Sequence, residues 1–524
     1  MNQVIAYLQK IYNRYTWSAY LFLALSIFLL YFQTIFFDYS YLDDQSLIIE
    51  NASILDRANL GEIFSNDVFF SQNKFYYRPL LTLSFVLDWH LGGANIHFFH
   101  FSNIVYHCLA VLLLFKVLQL SKISKNKAFF LSLFFAFHPV LTQAVAWVPG
   151  RNDSLVAIFI FSALIFFQRF LRTEKLIDLI FLSLFFLFAL FTKESAILLP
   201  PLALWWAGIF YKEHLNLFKI YLGSAFVMTV GIIWYLARNL VLEAHSFNTI
   251  GASILDNLFA PLVFLGKIFW PFSLSVYSVP ADANFIIGAL VLLFILLIFW
   301  KINRSQRPIY FFALFWFWLF LLLSSLRPDG EQARNFMEHR LYLPMFALLL
   351  IISTWRLPKK ITQWPYKRFL PVLLLLFLAF LSFLHSANFR NRLSFWHQAI
   401  DSSPHSALSW RNLGAMYYLD GDLNKAEMYF RQSLQLNPEE VMANNNLAAV
   451  YLDRGDLWRA EMSLEKELKI NPTYDVAWYN LGRLYYQRND LTKAKSAWER
   501  ALLFNPRNFS AAYELQKLYD SQEE

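Results

Sequence analysis

The sequence predicts an all-α chain in two parts: a polytopic membrane helical bundle of about 11 transmembrane helices, then an α-solenoid of short helical hairpins. Three observations predict it. Of the 524 residues, 57% are hydrophobic and 16% charged, with a mean hydropathy of +0.39, whereas soluble domains carry about 25% charged residues. Apolar stretches approaching the roughly 20 residues of a bilayer crossing recur through residues 1–386 and then stop. Beyond them a pattern with a 34-residue step occurs three times.

The apolar stretches lie near 17–37, 97–120, 128–147, 153–170, 176–192, 195–211, 217–237, 284–300, 308–326, 341–355 and 369–386. The first follows Lys10 and Arg14. It is too long for a secretory signal and lacks a small-residue cleavage site, so it is expected to remain as an anchor. A further stretch at 256–277, interrupted by Lys267 and Pro271, either crosses or lies along the surface. With the N-terminus in the cytoplasm and 256–277 not crossing, the cytoplasmic loops gather 19 basic residues against three acidic ones, Glu174, Asp178 and Glu213. The positive-inside rule therefore favours eleven crossings, with the C-terminal part outside the cytoplasm. The net charge of +8 accordingly reads as topology and not as a nucleic-acid surface. A single cysteine, Cys108, excludes an internal disulfide.

In the C-terminal part, Asn412-Leu413-Gly414, Asn446-Leu447-Ala448 and Asn480-Leu481-Gly482 step by 34 residues. So do Tyr417, Tyr451 and Tyr485, then Ala426, Ala460 and Ala494, and the pairs Asn437-Pro438, Asn471-Pro472 and Asn505-Pro506. The pattern resembles the tetratricopeptide (TPR) repeat, a helical hairpin. The small residue lets two helices approach, the turns at Gly421-Asp422-Leu423 and Gly455-Asp456-Leu457 break the first helix, and proline stops the second. Repeats are expected at 407–440, 441–474 and 475–508, with a leading helix in 387–404 and a cap helix at 509–520, in a domain spanning 387–524. Such superhelices bind extended peptides or partner proteins in a concave groove. Asn412, Asn446 and Asn480 form a ladder on the first helices, and their amides either pair with a peptide backbone or serve bonds between repeats.

The longest external loop of the membrane part, 38–96, opens with Asp38-Tyr39-Ser40-Tyr41-Leu42-Asp43-Asp44. A charge run is often only a solvated face, but Asp43 and Asp44 stand at the mouth of a bundle, where a carboxylate can accept a proton from a hydroxyl. On the same expected side lie Arg78, His138, Arg151, Asp153, Lys193, Glu194, Glu338, Arg340 and Tyr342. Ionisable groups near membrane helices mark functional cavities, and a phosphate would be a common partner for Arg78, Arg151, Lys193 and Arg340. Each alone also reads as an ion-paired residue, Lys193 with Glu194 or Arg340 with Glu338. No His/Cys/carboxylate set has metal-ligand spacing, so a divalent ion at Asp43 and Asp44 is the weaker reading.

In order along the chain, the motifs are Asp43-Asp44, Tyr77-Arg78-Pro79-Leu80, His138-Pro139-Val140, Ala144-Val145-Ala146-Trp147-Val148 and Gly150-Arg151-Asn152-Asp153. They continue with Lys193-Glu194 and Glu338-His339-Arg340-Leu341-Tyr342-Leu343-Pro344, ahead of the repeats. The chain resembles the TMTC-type proteins, transmembrane and TPR repeat-containing O-mannosyltransferases, and their bacterial relatives. The resemblance implies a GT-C-type glycosyltransferase domain in 1–386 that moves a sugar, a hexose such as mannose, from a polyprenyl-phosphate carrier to a hydroxyl of an exported protein acceptor. Asp43 or Asp44 would be the base and Arg78, Arg151, Lys193 and Arg340 the donor-phosphate contacts, supported by His138, Asp153, Glu194, Glu338 and Tyr342. No tightly bound cofactor and no nucleic acid are implied, and the TPRs would recruit the acceptor. One departure is Gln143, where relatives commonly carry an acid. The short loops and the absence of a retrieval signal in Ser521-Gln522-Glu523-Glu524 favour a bacterial inner membrane with periplasmic TPRs, the alternative being an endoplasmic reticulum membrane with lumenal TPRs. Competing readings are an O-antigen ligase or polymerase and a non-catalytic TPR membrane scaffold.

Overall fold

Every regular element in the computed structural model is helical; it describes residues 16–70, 76–242, 257–324, 335–355 and 369–523. The chain divides into two compact units, Met1–Phe395 and Trp396–Glu524. Lys10, Arg14 and the basic cluster within 356–368, on which the expected orientation partly rests, lie outside the described residues.

In the first unit, six described helices are long and apolar enough to cross a membrane: Trp17–Phe36, Ile96–Leu120, Val148–Thr173, Leu217–Val241, Arg304–Ser324 and Phe369–Phe389. A seventh results if Lys125–Ala136 and Pro139–Ala146 form one span bent by 56°. The remaining expected crossings fall short of that length, with Leu176–Thr192, Glu194–Phe210 and Ile286–Lys301 as shorter apolar helices and Tyr342–Thr354 having 13 residues. The stretch at 256–277 contains one helix, Ala260–Phe269, of ten residues. At about 15 Å it is too short to cross. One face is packed into the unit, with Ala260 and Phe264 fully buried and Lys267 6% exposed, while Phe259, Phe269 and Trp270 at its ends are exposed.

Local chemistry explains the interruptions. Pro139 keeps His138 out of the helical region, at φ −76° and ψ 121°. Gly150 permits a close crossing of backbone, because a Cβ there would lie 2.4 Å from the Gln143 carbonyl oxygen. Lys193 is extended, at φ −156° and ψ 133°, between Leu176–Thr192 and the short turn Glu194–Leu198. Pro200 and Pro201 then occupy the first turn of Leu199–Phe210, where a missing N–H removes no helical bond. Helix Arg151–Thr173 is central: 72% of the apolar window in Val148–Thr173 is buried, against 11% for Leu217–Val241. It packs on Ile96–Leu120 and Leu176–Thr192, and Phe161 joins Trp206, Trp316 and Phe346 in an aromatic core.

The second unit is a stack of hairpins: Ala407–Leu419 with Leu423–Leu436, Ala443–Asp453 with Leu457–Ile470, Asp475–Gln487 with Leu491–Phe504, and a final helix Phe509–Glu523. At Gly482 a Cβ would lie 2.2 Å from the Trp498 indole nitrogen, so the second helix of that hairpin sits against the bare backbone of the first. Asp422, Asp456 and Asp490 each cap a second helix, accepting from the backbone N–H three residues on at 3.0, 3.1 and 3.1 Å. The preceding positions are left-handed, filled by Gly421 and Gly455 and, in the third repeat, by Asn489, the residue that best tolerates that conformation after glycine. Trp410 and Trp478 donate from Nε1 to the carbonyls of Pro404 and Pro472, both at 2.8 Å.

Candidate functional site

The acidic loop begins where the first apolar helix ends at Phe36. Asp44 is 1% exposed. One of its oxygens accepts from the backbone N–H of Ser40 (2.6 Å) and Tyr41 (3.2 Å), the other from Leu42 N–H (3.0 Å) and the Ser40 hydroxyl (2.7 Å). Four donors on one carboxylate make it a staple that folds the loop and holds Tyr41 at a φ of +58°. Asp43 is half-buried and is therefore the member of the pair nearer to solvent.

Two ion pairs form the basic side. Lys193 Nζ donates to both Asp153 oxygens at 2.8 and 2.9 Å. Arg78 grips Glu194 through Nε (3.2 and 3.3 Å) and Nη2 (2.9 Å) and lies over the Tyr76 ring at 4.5 Å. Lys193 and Glu194 thus do not neutralise one another; an extended backbone sends adjacent side chains to opposite sides. Lys193 and Glu194 are consecutive and Arg340 follows His339, whose Nε2 lies 4.0 Å from Asp153, so Arg78, Lys193 and Arg340 come from one neighbourhood. Arg340 donates to the Asn335 carbonyl and side-chain oxygens, both at 2.7 Å.

His339 and Trp147 join the two sides. The His339 backbone N–H donates to Gln143 Oε1 at 3.0 Å, the ring Nδ1 lies 3.2 Å from the same oxygen, and Nε2 is 4.0 Å from Asp153 Oδ2. Gln143 itself donates to the Val276 carbonyl at 2.8 Å. Trp147 packs on the His339 ring at 5.4 Å and donates from Nε1 to the Ser40 hydroxyl at 3.1 Å. A continuous path therefore runs from Asp44 through Ser40, Trp147, His339 and Asp153 to Lys193.

Several expected site residues lie elsewhere. Arg151 is fully buried: Nε donates to Asn103 (2.8 Å), Nη2 to the Phe99 carbonyl (2.8 Å), and Nη1 to Asp88 and, at 3.4 Å, to the Ser84 carbonyl. With all three nitrogens engaged and Phe85 stacked at 4.8 Å, it is a core ion pair, which corrects its expected place at the phosphate. His138 donates to the Ile268 carbonyl at 3.0 Å and caps its own proline turn. Glu338 is fully buried and accepts from Lys267 Nζ (2.8 Å) and Ser275 N–H (2.7 Å), with His385 Nε2 at 3.3 Å from its other oxygen. It pairs with Lys267 and not with Arg340. Tyr342 meets His107 Nδ1 at 2.7 Å inside the bundle. His138, Glu338 and Tyr342 thus fix the segments that carry the site.

The asparagine ladder is engaged within the repeats. Asn480 donates to Asn445 at 2.9 Å and accepts from Arg483 at 3.3 Å; Asn446 accepts from Asn445 at 3.3 Å, and Asn412 accepts two bonds from Arg411, both 3.1 Å. For Asn480, which is 4% exposed, the inter-repeat role replaces the expected peptide contact. Sequence reasoning gave no role to Asp88, Asn103, Trp147, Lys267, His339 or His385. Five of them carried a signal: Asp88, Lys267 and His385 are ionisable residues inside otherwise apolar stretches, and Trp147 and His339 stand within the motifs quoted above.

Residues 405–473 and 476–508 match tetratricopeptide repeat family models. Over 135 residues the chain is 37% identical to "Protein O-mannosyl-transferase TMTC1" of Mus musculus, an alignment covering 24% of this chain and 14% of that protein. It is 34% identical over 170 residues to "Protein O-mannosyl-transferase F38B6.6" of Caenorhabditis elegans (31% and 24% covered), and 32% over 132 residues to "Protein O-mannosyl-transferase TMTC3" of Homo sapiens (24% and 14%). The chain is similar to TMTC-type proteins. It spans at most about a quarter of the length of these three relatives. Among solved structures, "First TPR of Spaghetti (RPAP3) bound to HSP90 peptide SRMEEVD" is 24% identical over 23% of this chain and 94% of that one, with a TM-score of 0.22.

Proposed function

We propose that this chain is a multi-pass membrane glycosyltransferase of GT-C type that transfers a hexose, such as mannose, from a polyprenyl-phosphate carrier to a hydroxyl of an exported protein, with the TPR unit recruiting that acceptor. The observation that carries the reading is the path from the acidic loop through Trp147 and His339 to the Asp153–Lys193 pair, beside Arg78–Glu194. The similar proteins are named protein O-mannosyl-transferases, which supports sugar transfer to a protein.

In this reading Asp43 takes the acceptor proton while the acceptor oxygen forms its bond to the anomeric carbon. The bond from that carbon to the phosphate oxygen breaks, its electron pair staying with the phosphate, and direct displacement inverts the centre. Arg78, Lys193 and Arg340 stabilise the charge that develops on the leaving lipid phosphate. Apolar helix faces hold the isoprenoid tail. Binding the acceptor on the TPRs turns a weak encounter into a positioned one. In this reading the reaction occurs at a bacterial inner membrane, on the periplasmic side.

The test is intact-mass and glycopeptide analysis of exported proteins from cells expressing wild type or Asp43→Asn. Hexose on Ser or Thr residues in the wild type and its loss in the variant is the expected result. Unchanged modification in Asp43→Asn removes the assigned base, and its absence in the wild type removes the protein-acceptor reading.

A further inference from the structure

The chain passes from the last apolar helix, Phe369–Ser386, towards the second unit through the short stretch 387–395, which the transfer reaction leaves without a task. It is held on two sides. On one, His385 Nε2 lies 3.3 Å from a Glu338 oxygen and Nδ1 lies 3.2 Å from Asn388 Nδ2, while Phe389, 1% exposed, packs on the His385 ring at 5.7 Å. On the other, contacts reach the end of the first apolar helix and the acidic loop that follows it. Gln33 Nε2 donates to the Phe383 carbonyl (2.8 Å) and the Ser386 hydroxyl (2.6 Å), the Asp38 backbone N–H donates to the Arg390 carbonyl (2.8 Å), and the Arg392 guanidinium lies over the Tyr41 ring at 5.3 Å, within the range of a cation–π contact. Tyr41, two positions before Asp43, has a left-handed backbone at φ +58°. A residue with a side chain keeps that conformation only where its surroundings impose it. Asp44 imposes it from within the loop, through the N–H groups of Ser40, Tyr41 and Leu42, and Arg392 acts from outside.

We propose that the segment from Phe383 to Arg392 is a clamp on the acidic loop, and that Arg392, through Tyr41, is a positioning residue for Asp43. The other side of the clamp rests on Glu338, two positions before Arg340. It therefore ties the loop that carries the base to the segment that carries one of the phosphate contacts. This rests on the transferase reading above and adds to it the element that sets the base in place. A general base acts only within about 2.6–3.2 Å of the proton it takes, and a displacement of about 1 Å can cost a hundredfold in rate. The clamp orders the loop before the acceptor arrives, and Arg392 leaves donor binding to the other cations.

The test compares the purified full-length wild type with Arg392→Ala, Tyr41→Leu and Tyr41→Phe in two measurements. Amide hydrogen exchange in the loop peptide 38–44, which contains the donors to Asp44, is expected to quicken about tenfold in Arg392→Ala and Tyr41→Leu and to stay at the wild-type rate in Tyr41→Phe, which keeps the ring. In mannose transfer from polyprenyl-phosphate-linked mannose, Arg392→Ala and Tyr41→Leu are expected to lower kcat about tenfold with the donor KM unchanged. Neither is expected to lower it further in an Asp43→Asn background, because both act through that carboxylate. Equal exchange in the wild type, Arg392→Ala and Tyr41→Leu overturns the clamp and leaves the transferase reading standing. Faster exchange with unchanged kcat overturns the positioning role, as does a raised donor KM at unchanged kcat, which would make Arg392 a donor contact. A full further loss in the Asp43→Asn background overturns action through Asp43. Absence of transfer by the wild type overturns the transferase reading and the positioning role with it, while the exchange comparison still decides the clamp.

Discussion

At the scale of single residues, adjacent or similar side chains divide into different tasks. Asp44 accepts four bonds from its own loop, whereas Asp43 is the carboxylate nearer solvent. Asp43→Asn is therefore expected to lower transfer by about 10² to 10⁴ fold, the range of a lost general base. Asp44→Ala is expected to lower the unfolding midpoint as well, because it orphans buried N–H groups that cost about 1–3 kcal/mol each. Arg151 separates from the other cations in the same way. Arg151→Met leaves Asp88 buried without its cation and is expected to destabilise the protein by about 3–5 kcal/mol. A paired Arg151→Met, Asp88→Leu variant recovers most of that loss in unfolding measurements and retains transfer; a phosphate-binding arginine would leave the pair inactive. The sequence identified the ionisable residues but not their partners. Asp88 and Arg151 stand 63 positions apart, and nothing in a one-dimensional pattern distinguishes an arginine that meets a carboxylate in the core from one that meets a ligand.

At the scale of elements, legibility follows periodicity. The 34-residue step placed the hairpins because each unit repeats the same packing problem, and the small residue at Gly482 answers it against Trp498. Gly482→Ala is expected to destabilise the second unit by about 1–3 kcal/mol, the usual cost of overpacking, read by amide hydrogen exchange in Asp475–Phe504. The aspartates after the turns carry a second function that the turn signal concealed: they are helix caps. Backbone N–H donors at Lys425, Arg459 and Lys493, with the ammonium or guanidinium groups of the same residues, hold the carboxyls of Asp422, Asp456 and Asp490 below the usual range. A folded-state pKa below the unfolded one adds stability that is present above about pH 3.9 and lost as pH falls through the lower folded value. Exchange protection of the three second helices, corrected for intrinsic rates, is expected to fall in that acid window, and Asn at all three caps flattens the dependence. The membrane helices were less legible. Hydropathy located the stretches, but Pro139 cuts 128–147 into shorter helices and the extended Lys193 stands between 176–192 and 195–211, and these breaks carry polar residues of the site.

For the whole molecule, composition predicted a membrane part and a repeat part, and the chain divides after Phe395. The positive-inside argument adds a side: a single cysteine engineered into the TPR unit of a Cys108→Ala background is expected to react with an impermeant thiol reagent added outside intact spheroplasts. Labelling only after permeabilisation would reverse the orientation. The sequence could not join the acidic loop to the basic cluster, because Ser40, the stretch from Trp147 to Asp153, and His339 come from three separated segments. That junction is the centre of the account. Its most direct test is transfer of mannose from polyprenyl-phosphate-linked mannose to a Ser/Thr-containing acceptor protein by the purified full-length chain, comparing wild type with Asp43→Asn and Lys193→Met. Transfer by the wild type with release of one polyprenyl phosphate per sugar is expected, with loss of turnover in both variants and the fold retained. Wild-type turnover that persists undiminished in both variants would contradict it.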